Sequence, residues 1–339
     1  MILNAFSITE FFIGFLSLIL MAWAGILSFI LAGRWRRSSK GEEKTHLEGK
    51  SHLILLIAVV VLVIRLLNWP WFYATLQSFI PEINGAMCIF GVTQANPILT
   101  GISEIIKPIS FFLIGAWLLI HALDRSTQTS PLMGRRLLFL GIIALVVIAE
   151  NLLDIVLFLR TSPGVLISCC TTVTDILERP TRLVPKSILG PGYASMLHYG
   201  FYASTLLLLL LLVLCLRGMG RSSQPRWRRP VLGFLFLYAI SSASLFLLTQ
   251  IEVFAPKIMG LPFHHCLYCL WQYVPDSILM MFLYAFGIFA VGWAFLLDLT
   301  GRTDETLGLL PRYLSRLYTL ALFCLAASLV MLTVHLIIS

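Results

Sequence analysis

The stretch PFHHCLYCLWQYVPDS, Pro262 to Ser277, places two histidines and a CxxC pair within six residues. Thiol and imidazole groups on one short turn can do three kinds of chemistry. Cys266 and Cys269 can open and close a small-ring disulfide, with His264 and His265 stabilising the attacking thiolate. The same four side chains, joined by a ligand from elsewhere, can hold zinc, copper(I) or another soft ion. The sulfurs can also bond to cysteines of other loops and simply staple them. Covalent c-type haem is set aside, because that attachment needs histidine directly after the second cysteine and Leu270 stands there.

Three more cysteines fall in two comparable segments, Cys88 in GAMCIFGVTQANP and Cys169 with Cys170 in LISCCTTVTDILERP. The two remaining cysteines, Cys215 and Cys324, sit inside apolar runs, where cysteine packs as a small hydrophobe. Five loop cysteines are an odd number, so at least one stays unpaired within the chain. Adjacent cysteines rarely bond to each other, because bridge geometry would strain the peptide between them. Cys169 and Cys170 therefore serve different partners, and with Cys88 they are expected to relay or resolve electrons for the Cys266–Cys269 pair. The arrangement is similar in logic to the membrane disulfide oxidoreductases that couple a CxxC to quinone, such as the vitamin K epoxide reductase family. Beyond the CxxC the chain matches that family at no residue, so the likeness is one of chemistry and not of membership.

A second set of residues lies inside apolar runs: Arg65 with Asn68, Glu104 with Lys107, and Glu150 with Asn151 and Asp154. Glu150 and Asp154 are four apart and share a helical face, as do Glu104 and Lys107 at three. A lone charge at the bilayer centre costs about 2.5–3.5 kcal/mol on an insertion scale, so such groups face a partner, a cavity or a pathway. Arg65 and Lys107 are the expected counter-charges. The set is read either as an interhelical ion pair that fixes packing or as a proton path or quinone pocket. Gln250, Glu252 and Asp276 add polar groups close in sequence to the CxxC.

The elements that must position these groups follow from composition. Of 339 residues, 59% are hydrophobic and only 12% charged, with a mean hydropathy of +0.92. A soluble domain carries about 25% charged residues. Apolar runs long enough to cross a bilayer recur along the chain, and backbone groups in lipid must pair within their own segment. The sequence therefore predicts an all-α polytopic membrane protein, read as a single integral domain over 1–339. Eight spans are expected near 9–33, 52–76, 101–123, 137–160, 196–217, 231–252, 277–299 and 312–337. The start has no basic n-region and does not read as a cleaved secretory signal.

The net charge of +8 is scattered over short loops and does not mark a nucleic-acid surface. The loops at 34–51, 124–136, 217–229 and 300–316 hold six, three, five and three Lys/Arg, together 17 of the 24. The positive-inside rule makes these loops cytoplasmic and places both termini outside. The cysteine loops then form a small extracytoplasmic cap. The segment RSSKGEEKTHLEGK is expected as a solvated connector, the aromatics of LNWPWFYATLQSF as an interface belt or a short surface helix, and Pro70 and Pro108 as helix breaks or kinks.

Three functions are consistent with this pattern. The leading one is thiol–disulfide electron transfer at the outer face, with coupling to the quinone pool. The second is binding, transfer or maturation of a soft metal by Cys266, Cys269, His264 and His265. The third is a non-catalytic membrane subunit whose disulfide-stapled cap docks a partner. The implied surroundings are the lipid bilayer of a prokaryotic cytoplasmic membrane and an extracytoplasmic redox or metal-carrying protein. No phosphate-binding glycine loop is present.

Overall fold

A computed structural model describes residues 1–38, 41–167, 174–219 and 225–338. Among these the secondary structure is helical throughout. The elements are α1 (Ala5–Arg37), α2 (Gly41–Ser78), α3 (Ile89–Thr93), α4 (Pro97–Arg125), α5 (Met133–Arg160), α6 (Pro180–Leu189), α7 (Tyr193–Met219), α8 (Pro225–Thr249), α9 (Ala255–Ile258), α10 (Leu267–Tyr273), α11 (Asp276–Thr300) and α12 (Leu310–Ile338). Eight of these helices are long and apolar enough to cross a membrane, in the order the sequence predicts. They mark an integral multi-pass membrane protein. The chain divides into two compact units, Met1–Ile167 with Thr300–Gly308, and Ser168–Leu299 with Leu309–Ser339.

In the first unit α1 packs on α5 and α2, and α4 packs on α5 and α2. The buried positions of α1 include Ser7, Glu10, Gly14, Ser17, Met21, Ala24, Ser28 and Leu31. They alternate in steps of three and four, a 3.5-residue repeat built mostly of small side chains. In lipid there is little hydrophobic drive between helices, and small residues let backbones approach until dispersion contacts hold them. Gly25 and Gly141 are two of the positions where neighbours leave no room for a Cβ. A Cβ on Gly25 would sit 2.7 Å from the Ala144 methyl, and one on Gly141 would sit 2.7 Å from the Phe29 ring. At the turn between α4 and α5, buried Asp124 pairs with Arg136 at 3.0 Å and accepts from the Leu132 N–H at 2.8 Å.

Three local expectations need correction. Residues 41–50 are not a loose connector but the first turns of α2. Their Glu- and Lys-rich sequence is polar yet favours helix, and Leu47 is buried in the unit's core. Pro70 and Pro108 do not end their helices, which run through both positions; neighbouring groups can satisfy the carbonyl a proline frees. The aromatic run after Asn68 is no separate surface helix. It extends α2, and Phe72 and Phe79 are fully buried against Phe158, with ring centroids 5.9 and 5.7 Å away.

In the second unit α7 packs on α8 and α12. Tyr284 on α11 joins three helices, its hydroxyl 3.2 Å from Thr205 Oγ1 and 2.8 Å from Ser242 Oγ. Its ring stacks on Phe246 at 3.9 Å. The Ser328 hydroxyl on α12 donates to the Met280 carbonyl on α11 at 2.8 Å. The α8 helix ends in one wider, π-helical turn, Gln250–Phe254, before α9.

Candidate functional site

The CxxC loop is shaped by what precedes it. Helix α9 ends in a Schellman motif: the Leu261 N–H donates to the Pro256 carbonyl at 3.0 Å, and the Gly260 N–H donates to the Lys257 carbonyl at 3.1 Å. Gly260 holds φ +65°, which a Cβ would strain. The chain then turns through Pro262 to the histidines, and Cys266 caps α10 with extended backbone. One helical turn brings Cys269 back beside it. The two Sγ atoms lie within 4.8 Å of each other. Both residues are buried, at 1% and 7% exposure. No disulfide occurs among the described residues.

The histidines beside this pair have other fixed partners. His264 Nδ1 is 3.1 Å from Asp175 Oδ2. His265 Nε2 is 2.8 Å from an Arg179 guanidinium nitrogen, and its Nδ1 is 3.0 Å from the Ile251 carbonyl oxygen. Arginine can only donate, so Nε2 accepts and the ring proton sits on Nδ1, donated to Ile251. Both ring nitrogens are therefore engaged. Burial holds His265 below its ordinary value near 6.5, opposed by the Ile251 hydrogen bond and reinforced by the Arg179 charge. It is the neutral tautomer at neutral pH.

Arg179 anchors this region of the second unit. Pro180 at the first position of α6 fixes the helix start and leaves Arg179 as its N-cap residue. Its Nε and one terminal nitrogen donate in parallel to the two Glu252 oxygens, each at 2.8 Å. This two-pronged geometry is the strong form of the arginine–carboxylate pair. The Tyr193 hydroxyl adds a third donor to Glu252 at 3.1 Å. Glu252 lies in the π-helical turn, a feature that often marks functional positions. A cavity of about 380 Å³ opens beside it, with Glu252, Lys257 and Pro262 in its wall.

The first unit holds a second buried polar constellation. Glu150 Oε1 lies 2.7 Å from an Arg65 guanidinium nitrogen and 3.2 Å from Lys107 Nζ. Lys107 Nζ also lies 2.7 Å from Asp154 Oδ2 and 4.2 Å above the Phe72 ring. Arg65 donates to Asn151 Oδ1 at 2.7 Å. All these groups are at most 4% exposed. Glu104, one turn before Lys107, is only half-buried.

The remaining cysteines are placed unequally. Cys88 belongs to the first unit, fully buried at the N-terminal cap of α3. Cys169 and Cys170 lie outside the described residues. Sequence reasoning missed the role of Arg179, which reads there as an ordinary loop cation. The Pro after it was the available signal of a fixed helix start. It also missed Glu10, which accepts from Asn68 Nδ2 at 2.9 Å inside the first unit. The signal was a single carboxylate in an otherwise apolar first span. The chain matches no protein-family model, no curated protein and no solved structure.

Proposed function

We propose that this multi-pass membrane protein carries out thiol–disulfide electron transfer through Cys266 and Cys269 at the extracytoplasmic face. The observation that carries the reading is the approach of the two sulfurs to within 4.8 Å on one helical turn. A disulfide needs about 2.05 Å between sulfurs, a gap that side-chain rotation and a small backbone shift can close. On oxidation the two thiols lose two electrons and two protons as the S–S bond forms. The acceptor is a partner protein's disulfide, reduced to two thiols, or a quinone, reduced to quinol. His265, with both nitrogens occupied, acts as a positioning residue that ties the CxxC loop to Arg179 and the π-helical turn. His264 is the nearer candidate for moving a proton, through Asp175. From the sequence pattern, Cys88, Cys169 and Cys170 belong to the same relay. The basic loops support placing the CxxC on the outer face, and the membrane proposed is a prokaryotic cytoplasmic one.

A second reading is favoured by burial. Exchange-active cysteines are commonly part-exposed, whereas these are nearly covered, which suits a soft ion held by thiolates. Cys266→Ser and Cys269→Ser separate the two. Electron transfer predicts that Cys269→Ser traps a mixed disulfide through Cys266, seen on a non-reducing gel and cleared by reductant. A metal site predicts instead that either change releases copper or zinc from the purified protein, with no mixed disulfide. If both variants keep their metal content and form no adduct, both readings fall and a docking subunit remains.

A further inference from the structure

Two cations and three carboxylates are buried together in the first unit. Arg65 and Lys107 make their ion pairs with Glu150 and Asp154 on α5, which balances two positive charges against two negative ones. Glu10 on α1 is the odd charge. It is 3% exposed, and among the described residues its carboxylate enters none of these ion pairs. Its single hydrogen bond is from Asn68 Nδ2 to Oε1 at 2.9 Å. The remaining side-chain polar atom of each partner, Glu10 Oε2 and Asn68 Oδ1, is buried without a hydrogen bond among the described residues.

These two orphan atoms are both acceptors when Glu10 is ionised, and two buried acceptors without a hydrogen bond are costly. One proton removes both faults. A carboxylic acid and a carboxamide form a closed pair: the amide N–H donates to the acid carbonyl, and the acid O–H donates to the amide oxygen. Only the first of these bonds exists without the proton. Neutralising Glu10 also leaves the surrounding cluster with no net charge, which a low-dielectric interior favours. The groups that act on Glu10 are Asn68 and Arg65 from α2, Lys107 from α4 and Asp154 from α5.

We infer that Glu10 and Asn68 form a binding site for one exchangeable proton inside the membrane-spanning part of the first unit, with the proton on Glu10 Oε2 and the ion pairs of Arg65 and Lys107 holding the site in place. The ligand class is a proton, taken up and released at a site that the CxxC chemistry does not need to exist. The inference is independent of the function proposed for the cysteines.

The test is infrared spectroscopy of the full chain in lipid vesicles, comparing the natural protein with Glu10→Gln and Asn68→Leu. At neutral pH the natural protein should show the C=O stretch of a protonated carboxylic acid, sensitive to deuterium exchange. That band should be lost in Glu10→Gln and shifted to higher frequency in Asn68→Leu, where the amide donor is gone. Glutamine copies the shape and hydrogen bonds of the neutral acid, so Glu10→Gln should fold with an unchanged melting midpoint. A Glu10→Gln protein that fails to fold, or a difference spectrum that loses a carboxylate band instead, overturns the inference. So does an acid band that appears only when sodium and potassium are withheld, which would make the site a cation site.

Discussion

His265 sits between two fixed partners, the Arg179 guanidinium and the Ile251 carbonyl, and these decide its protonation. A second proton would have to go on Nε2, facing a cation 2.8 Å away. The folded state therefore disfavours the charged ring, with burial as the larger cause. A histidine depressed on folding contributes stability that is present above its ordinary value and is lost as pH falls below it. The natural protein should therefore lose melting temperature as pH falls below about 6.5, and His265→Gln should lose less over the same pH range. Equal slopes in a pH series of thermal unfolding would count against this assignment. At this scale the sequence marked His264, His265 and the CxxC as chemistry-bearing residues. It did not reveal that Arg179, 86 residues from His265, would take one ring nitrogen. Such a partner is chosen by the fold and leaves no local pattern.

Helix α1 shows what decides element packing here. Its surface is apolar nearly all round, so hydrophobicity alone does not say which face turns inward. The inward face is instead the small-residue one, because closeness and not burial of grease is rewarded in lipid. Gly25 and Gly141 are two positions where an added Cβ would overlap a neighbour, the Ala144 methyl and the Phe29 ring. Gly25→Leu and Gly141→Leu should each cost about 1–3 kcal/mol or more by overpacking. Gly33→Leu, at a glycine with open space around it, should lose no stability and gain up to about 1 kcal/mol from helix propensity. All three replacements gain similar helix propensity, so the difference reads packing. Thermal unfolding of the three proteins in detergent checks it, and three equal losses would reject the close-packing account. The π-helical turn at Gln250–Phe254 is the opposite case. Nothing in QIEVF announces an extra residue in the turn, yet that turn carries both Glu252 and the Ile251 carbonyl that His265 needs.

For the whole molecule the basic loops make one firm demand. Reporter fusions after Gln128 and after Arg302 should report the cytoplasm, and fusions after Thr93 and after Lys186 should report the outside. An inverted pattern would place the CxxC in a reducing compartment and remove the basis of the disulfide reading. The sequence by itself determined the membrane class, the number and order of the spanning helices, and that buried Glu150 and Asp154 need cations. Each follows from a local or averaged property: run length against bilayer thickness, backbone pairing in lipid, and the cost of a lone charge. Only the tertiary structure decided which groups meet. Glu10 finds Asn68 across 58 residues, and Arg179 finds Glu252 across 73. Those pairings depend on how each helix is rotated about its axis, which interhelical packing sets and which a uniformly apolar sequence leaves unspecified.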